Sequence, residues 1–194
     1  MNTLTRIAIT VATALCTQGT YAQSQTAPNK TNATKMNTDA AFQVLKNEDG
    51  SEITYTGVFT FKDLLKESSF DWLEQGIIDY APDMDAALEL KKHIKNYKLL
   101  IFLGTWCEDS QELIPELFKV LYRAGVDYKN LQLIGLDREK TTYSKAAKEL
   151  VAKYEVSLLP TIVVLDKSGK EAGRITETVS NSVEEELLAI LNGK

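Results

Sequence analysis

The feature that most constrains the fold is an uninterrupted run of five apolar residues at 99–103, Leu-Leu-Ile-Phe-Leu. A run of this length without polar alternation predicts a β-strand that is buried on both faces. Burial on both faces requires a layer of structure on each side of the sheet, so the sequence predicts an α/β fold. The run ends at Gly104, and apolar residues at helical spacing follow it until Gly125, a typical residue after a helix C-terminus.

The rest of the C-terminal half repeats this alternation of strands and helices. Strands are predicted at 131–136, 161–165 and 173–175, and helices at 146–154 and 182–193. Ser182 and Glu185 have the spacing of a capping box at the start of the last helix. The order β-α-β-α-β-β-α from residue 99 onward predicts a mixed central sheet with helices on both faces.

Residues 39–97 predict a β-hairpin followed by helices, which together form an N-terminal extension. Apolar and polar residues alternate at 42–45 and 53–55, and Asp49-Gly50 between them is a typical turn sequence. The apolar residues then recur at helical intervals up to residue 94.

This helical segment is strongly acidic. Between Asp63 and Glu89 the chain carries eight acids and one base, Lys66. Two interpretations remain open: a docking face for a basic partner, or the solvated helical surface that charged runs more commonly form.

The N-terminus predicts export to the periplasm or the outside of the cell. Residues 1–22 combine a basic start, an apolar stretch and a small residue at the end, which is typical of a secretory signal peptide. Leu15 precedes Cys16 where a lipid attachment site prefers a small residue, so membrane anchoring through a lipid is not expected. The polar residues 23–38 predict a disordered tether.

Composition excludes several function classes. The chain has 22 Lys and Arg against 27 Asp and Glu, a net charge of -5, which argues against nucleic acid as a partner. The single histidine, His93, and two cysteines, Cys16 and Cys107, are too few for a structural zinc site, so no metal or other cofactor is predicted. Loss of Cys16 with the signal peptide leaves Cys107 as the only thiol, which excludes an internal disulfide.

Three motifs together resemble the thioredoxin-like family over residues 95–194. Trp106-Cys107 stands at a strand-to-helix junction, Pro115 follows eight residues after the cysteine, and Leu159-Pro160-Thr161 precedes a strand. The segment 106–110, Trp-Cys-Glu-Asp-Ser, resembles an exported bacterial branch of this family. The resemblance implies a thioredoxin-like domain at 98–194, a cis Pro160 that faces the cysteine, and Trp106 at the rim of a substrate groove.

The motif also departs from the family pattern. Ser110 stands where thioredoxins have their second cysteine, and Ile101 stands where they have a buried acid that assists proton transfer. Glu108 and Asp109 replace the usual Gly-Pro. A helix N-terminus favours a thiolate at Cys107, whereas these two carboxylates oppose it.

The resemblance implies thiol-disulfide exchange in which Cys107 acts alone and an external thiol resolves the mixed disulfide. The partners would be protein thiols or disulfides, with the substrate extended beside Pro160 and paired with the backbone of Leu159. The main alternative is a redox-inert binding module that holds a partner protein. Three further alternatives are a peroxide-reactive Cys107, an inert buried Cys107, and His93 as an acid-base group beside the thiol.

Overall fold

The computed structural model describes residues 41–193, so the predicted signal peptide at 1–22 and the predicted tether at 23–38 lie outside the described residues. The strands are β1 (Phe42–Lys46), β2 (Ile53–Phe59), β3 (Lys98–Leu103), β4 (Leu131–Gly135), β5 (Thr161–Leu165) and β6 (Glu171–Thr176). The helices are α1 (Phe61–Leu65), α2 (Asp71–Asp79), α3 (Met84–His93), α4 (Glu108–Arg123), α5 (Lys145–Lys153) and α6 (Val183–Leu191). Short 3-10 turns lie at Ile94–Asn96 and Tyr128–Asn130. None of the helices in this part of the chain is long and apolar enough to cross a membrane.

The six strands form one mixed sheet in the order β1-β2-β4-β3-β5-β6. Strand β3 pairs in parallel with β4 and antiparallel with β5, and the other pairs are antiparallel. Leu99, Ile101 and Leu103 belong to one core, and Leu100 and Phe102 belong to a second core on the opposite face. The predicted burial of this strand on both faces and the α/β fold class are therefore confirmed.

The helices divide unequally between the two faces. Helix α5 packs on the core that contains Leu100 and Phe102. The other helices contribute to the core that contains Ile101, where α4 contacts α2, α3 and α6. Helices therefore cover both faces, as predicted from the element order.

The N-terminal hairpin is part of the same sheet, because β2 pairs with β4 through Gly57 and Gly135. A Cβ atom at Gly135 would lie 2.0 Å from the carbonyl oxygen of Tyr55. Only glycine allows the two strands to approach this closely.

Two helix starts differ from the sequence prediction. The Ser182 hydroxyl accepts the Glu185 N–H at 3.3 Å, but the Glu185 carboxylate accepts from the Asn181 side chain and does not complete the predicted capping box. A complete capping box forms instead between Thr60 and Asp63 at the start of α1. This box does not match the usual sequence pattern, which has Glu or Gln at the position of Asp63.

A buried carboxylate ties α6 to the connection between α2 and α3. Glu184 is 2% exposed, and it accepts the Tyr80 hydroxyl at 2.8 Å and the Asp83 N–H at 2.7 Å. Burial and the hydrogen bond to Glu184 together raise the pKa of Tyr80 well above its ordinary value. The two hydrogen bonds join residues that are 104 and 101 positions apart in the chain.

We expect Glu184→Gln to destabilise the fold by roughly 1.5–3 kcal/mol, because the amide keeps one acceptor oxygen and places an N–H donor beside the second donor. Urea unfolding at neutral pH measures this loss. The matched control is Glu185→Gln on the exposed side of the same helical turn, for which we expect a change within about 0.5 kcal/mol. Equal losses in the two variants would contradict the structural role of Glu184.

Candidate functional site

Cys107 occupies the N-cap position of α4, at the end of the loop that follows β3. Its backbone is extended, with φ -90° and ψ 123°. Its N–H donates to the Gly104 carbonyl at 3.0 Å, and its carbonyl accepts the Gln111 N–H at 2.9 Å. The side chain is half-buried and makes no hydrogen bond to the first-turn N–H groups, although the N-cap position lies at the positive end of the helix dipole. The predicted strand-to-helix junction is therefore present, with Cys107 directly before Glu108, the first helical residue.

The Cys107 thiol faces the segment around Pro160. Its Sγ donates a weak hydrogen bond to the Leu159 carbonyl at 3.6 Å, and the peptide between Leu159 and Pro160 is cis. The expected cis Pro160 is therefore present, and the chain beside it contacts the cysteine. The Pro160 carbonyl accepts the Glu177 N–H at 2.8 Å, and the buried Thr161 hydroxyl donates to the Leu158 carbonyl at 2.8 Å. These bonds hold the segment in place against α4.

Trp106 is held from three sides. Its indole N–H donates to the Leu136 carbonyl at 2.9 Å. The guanidinium carbon of Arg138 lies 4.7 Å from the ring centroid, within the range of a cation-π contact. A Cβ at Gly104 would lie 2.8 Å from the ring, so the indole needs the space that this glycine leaves. The indole is half-buried, and it packs on the same core as Cys107.

Arg138 belongs to the site through its contact with Trp106, a role that the sequence did not predict. It pairs with Glu52 from the loop between β1 and β2, through a 3.2 Å bond from Nε to Oε1 and a second bond from Nη2 to Oε2. The Glu52 hydrogen bond raises the pKa of the Arg138 guanidinium, and the negative charges of Glu52, Cys107 and Glu139 add to this effect. No local sequence pattern indicates this ion pair, because Glu52 lies 86 residues away from Arg138 in the sequence.

The three residues after Cys107 have distinct environments. Glu108 and Asp109 are exposed, so water screens their negative charge. Ser110 is fully buried, and its hydroxyl accepts the Gly104 N–H at 3.3 Å. Ser110 therefore supports the loop that carries Trp106 and Cys107.

An acidic cavity of about 260 Å³ begins at Asp109. Four carboxylates line it: Asp109, Glu112, Glu116 and Glu177. Leu113, Thr178 and Val179 complete the lining. Burial raises the pKa of Glu116, and the negative charges of Glu112 and Glu184 raise it further.

A second cavity, of about 290 Å³, lies beside Trp106. Thr105, Trp106 and Gln111 line one wall, and residues from the β1-β2 loop and the start of α2 line the other. The Thr105 hydroxyl donates to the Ile53 carbonyl at 2.8 Å and accepts the Tyr55 N–H at 3.1 Å. The N-terminal extension is thus bonded directly to the loop that carries Cys107.

His93 lies far from the cysteine. It is exposed at the C-terminal end of α3, with Nε2 3.4 Å from Glu89 Oε1. His93 and Asp166 line the same cavity. Asp166 directly follows Leu165, which pairs with Lys98 at the start of β3. Cys107 lies beyond the other end of that strand. His93 is therefore not placed to act as an acid-base group beside the thiol. Within residues 41–193, no cluster of three or more His, Cys, Asp or Glu side chains has the arrangement of a metal site.

Comparison with known proteins agrees with this geometry at the level of the domain. A family model described as a thioredoxin-like domain matches residues 84–192. No curated protein matches the sequence.

Several solved structures resemble the fold at low identity. A Pseudomonas aeruginosa protein of unknown function is 18% identical, with a TM-score of 0.45 over 69% of this chain and 82% of that one. The oxidoreductase DsbH is 24% identical, with a TM-score of 0.38 over 55% of this chain and 79% of its own. An exposed lipoprotein thioredoxin of Streptococcus pneumoniae is 20% identical, with a TM-score of 0.33 over 54% and 90% of the two chains.

We expect Glu116→Gln to stabilise the protein at pH 7. The raised pKa means that the folded state binds this proton more tightly than the unfolded state, so ionisation at neutral pH costs folding free energy. The cost disappears as the pH falls below both pKa values, and the gain in the variant should therefore vanish near pH 3.

Urea unfolding at the two pH values measures this difference. Glu112→Gln, at an exposed position of the same helix, serves as the control and should give a smaller gain at pH 7. Destabilisation by Glu116→Gln at pH 7 would contradict the expectation.

Proposed function

The chain belongs to the thioredoxin-like family, and from that premise we propose that it is an exported protein in which Cys107 performs thiol-disulfide exchange without a second cysteine. One observation carries the proposal. The only cysteine in the described residues is half-buried at a helix N-cap, with its Sγ against the carbonyl before a cis proline. A purely structural cysteine has no need of this placement, whereas a nucleophile does.

The proposed reaction has two exchange steps. The Cys107 thiolate attacks one sulfur of a substrate disulfide, forms a mixed disulfide and releases the other sulfur as a thiolate. An external thiolate then attacks the mixed disulfide, bonds to the substrate sulfur and releases the Cys107 thiolate. The external thiol supplies the electrons, and the Cys107 proton passes to the released thiolate or to water. The buried Ser110 hydroxyl cannot take the place of the external thiol.

The substrate is proposed to lie extended beside Pro160. The Leu159 N–H has no hydrogen-bond partner among residues 41–193, and the Leu159 carbonyl accepts only the weak bond from Sγ. A substrate N–H donating to this carbonyl would displace the thiol proton and leave the sulfur free to ionise. Backbone pairing of this kind suits protein disulfides and protein thiols as the substrate class.

Export rests on the sequence of residues 1–22, which ends before the region that the structure describes. Cleavage there removes Cys16 and leaves Cys107 as the one thiol of the protein. We keep the division into an extension at 39–97 and a thioredoxin-like domain at 98–194 as part of this proposal.

The second candidate function is a redox-inert binding module. The observation in its favour is that Ser110 is built into the loop as a hydrogen-bond acceptor, and buried Ile101 occupies the place of the proton-transferring acid. The acidic cavity that begins at Asp109 would then hold a basic segment of a partner protein.

The decisive test follows the Cys107 thiol in the folded protein. In the full chain with Cys16→Ser, we expect reduced protein to form a mixed disulfide with a model peptide disulfide and to release it on addition of an external thiol. Mass spectrometry identifies the adduct, and Cys107→Ser is the control that should form none. A Cys107 that reacts more slowly in the folded protein than in urea would refute exchange and favour the binding module.

A second prediction concerns Ser110. Positions 107 and 110 are the N-cap and third residue of α4, whose side chains approach each other, so a cysteine at 110 is expected to bond to Cys107. Ser110→Cys should then reduce insulin with a chemical reductant, because the second thiol resolves the mixed disulfide within one molecule, whereas the wild type should show little activity.

The control for this prediction is Ser110→Ala, which loses the hydroxyl and gains no thiol. Buried Ile101 and the charges of Glu108 and Asp109 should keep the gain below that of a dithiol thioredoxin. If Ser110→Cys forms its disulfide and still reduces insulin no faster than wild type, the groove is not shaped for exchange.

A further inference from the structure

We propose that Arg138 is a positioning residue for the Cys107 reaction: Glu52 and Trp106 hold its guanidinium as a fixed positive charge beside the Cys107 sulfur. This inference rests on the proposed exchange function, and it assigns a role within that function to the N-terminal hairpin, which supplies Glu52.

The contacts fix the guanidinium from two directions. Glu52 binds it through both carboxylate oxygens, which sets the plane of the guanidinium. The Trp106 ring lies under it, with the guanidinium carbon 4.7 Å from the ring centroid. Trp106 is in turn fixed by its bond to the Leu136 carbonyl and is followed directly by Cys107.

The charges around the sulfur make a cation useful there. Glu108 and Asp109 follow Cys107, and the Leu159 carbonyl points its oxygen at Sγ. The Leu159 carbonyl opposes negative charge on the sulfur directly, and the two exposed carboxylates oppose it more weakly because water screens them. The hydrogen bond to Glu52 is the main cause of the raised pKa of Arg138, and an ionised Cys107 adds to it.

Both exchange steps place negative charge on the Cys107 sulfur. It attacks as a thiolate in the first step and leaves as a thiolate in the second. A fixed cation stabilises both states and needs no rearrangement during the reaction. Glu52 orients Arg138 and also offsets part of its charge. Because the Trp106 ring still holds the guanidinium when the Glu52 carboxylate is lost, the lost offset outweighs the lost orientation.

Alkylation of Cys107 with an anionic and a neutral reagent tests the charge directly. Iodoacetate and iodoacetamide both react with the thiolate, so the ratio of their rates does not depend on how much thiolate is present. In the full chain with Cys16→Ser, we expect Arg138→Gln to lower the iodoacetate-to-iodoacetamide ratio about threefold at low salt, and added salt to reduce the difference. Arg138→Lys, which keeps the charge, should retain most of the wild-type ratio.

The matched control is Arg123→Gln, which removes the same charge from the far end of α4. The helix has 16 residues, which places Arg123 roughly 24 Å from Cys107 along the axis and beyond the screening length. We therefore expect no change in the ratio for this variant.

Glu52→Gln separates an electrostatic role from a purely structural one. If Arg138 acts through its charge, loss of the Glu52 carboxylate should raise the ratio, opposite in sign to Arg138→Gln. If the pair only holds the loops together, both variants should shift the ratio in the same direction, and the proposal is overturned.

An unchanged ratio in Arg138→Gln likewise refutes the role of Arg138 while leaving exchange at Cys107 intact. If neither reagent labels Cys107 in the folded wild type, the proposed function itself fails. Circular dichroism of each variant verifies that the fold is retained during labelling.

Discussion

Strand β3 is buried on both faces, and the position of the candidate site depends on it. Its alternate side chains fill two separate cores, so neither its register nor its direction can shift without exposing apolar surface. The strand ends at Leu103, and the next three residues, 104–106, lead to Cys107 at the N-cap of α4. Cys107 is therefore held at the carboxyl end of a rigid central strand, which is where open α/β sheets commonly bind ligands.

The elements of the fold were predictable because the information is local. The apolar run at 99–103, the turn residues Asp49-Gly50 and the helical periodicity after Cys107 each act within one element. The cis Pro160 beside the cysteine came from the resemblance to the thioredoxin-like family, and no spacing rule would have predicted it. The capping box at Thr60 and Asp63 is also a local signal, but it departs from the usual pattern because Asp replaces Glu or Gln at the third helical position.

The contacts that join the extension to the site were not predictable in this way. Glu52 is one of 27 acids, and nothing near it in the sequence distinguishes it as the partner of Arg138. Glu184 stands between valine and two more glutamates, yet it alone of the three is buried and bonded to Tyr80 and Asp83. Such pairs depend on how strands and helices that are distant in the sequence come together, as β2 and β4 do for Glu52 and Arg138.

The ion pair between Glu52 and Arg138 contributes little to the free energy of unfolding, so stability alone does not explain its position next to Trp106. Arg138 is exposed, and exposed ion pairs contribute about 0–1 kcal/mol. The same guanidinium stacks on Trp106, the residue directly before the thiol. In its resting state the thiol proton bonds to the Leu159 carbonyl, so the sulfur must lose this bond before it can attack. A substrate N–H that takes over the carbonyl and a cation that balances the new charge would act together at that moment, which links the segment around Pro160 to the hairpin that holds Arg138.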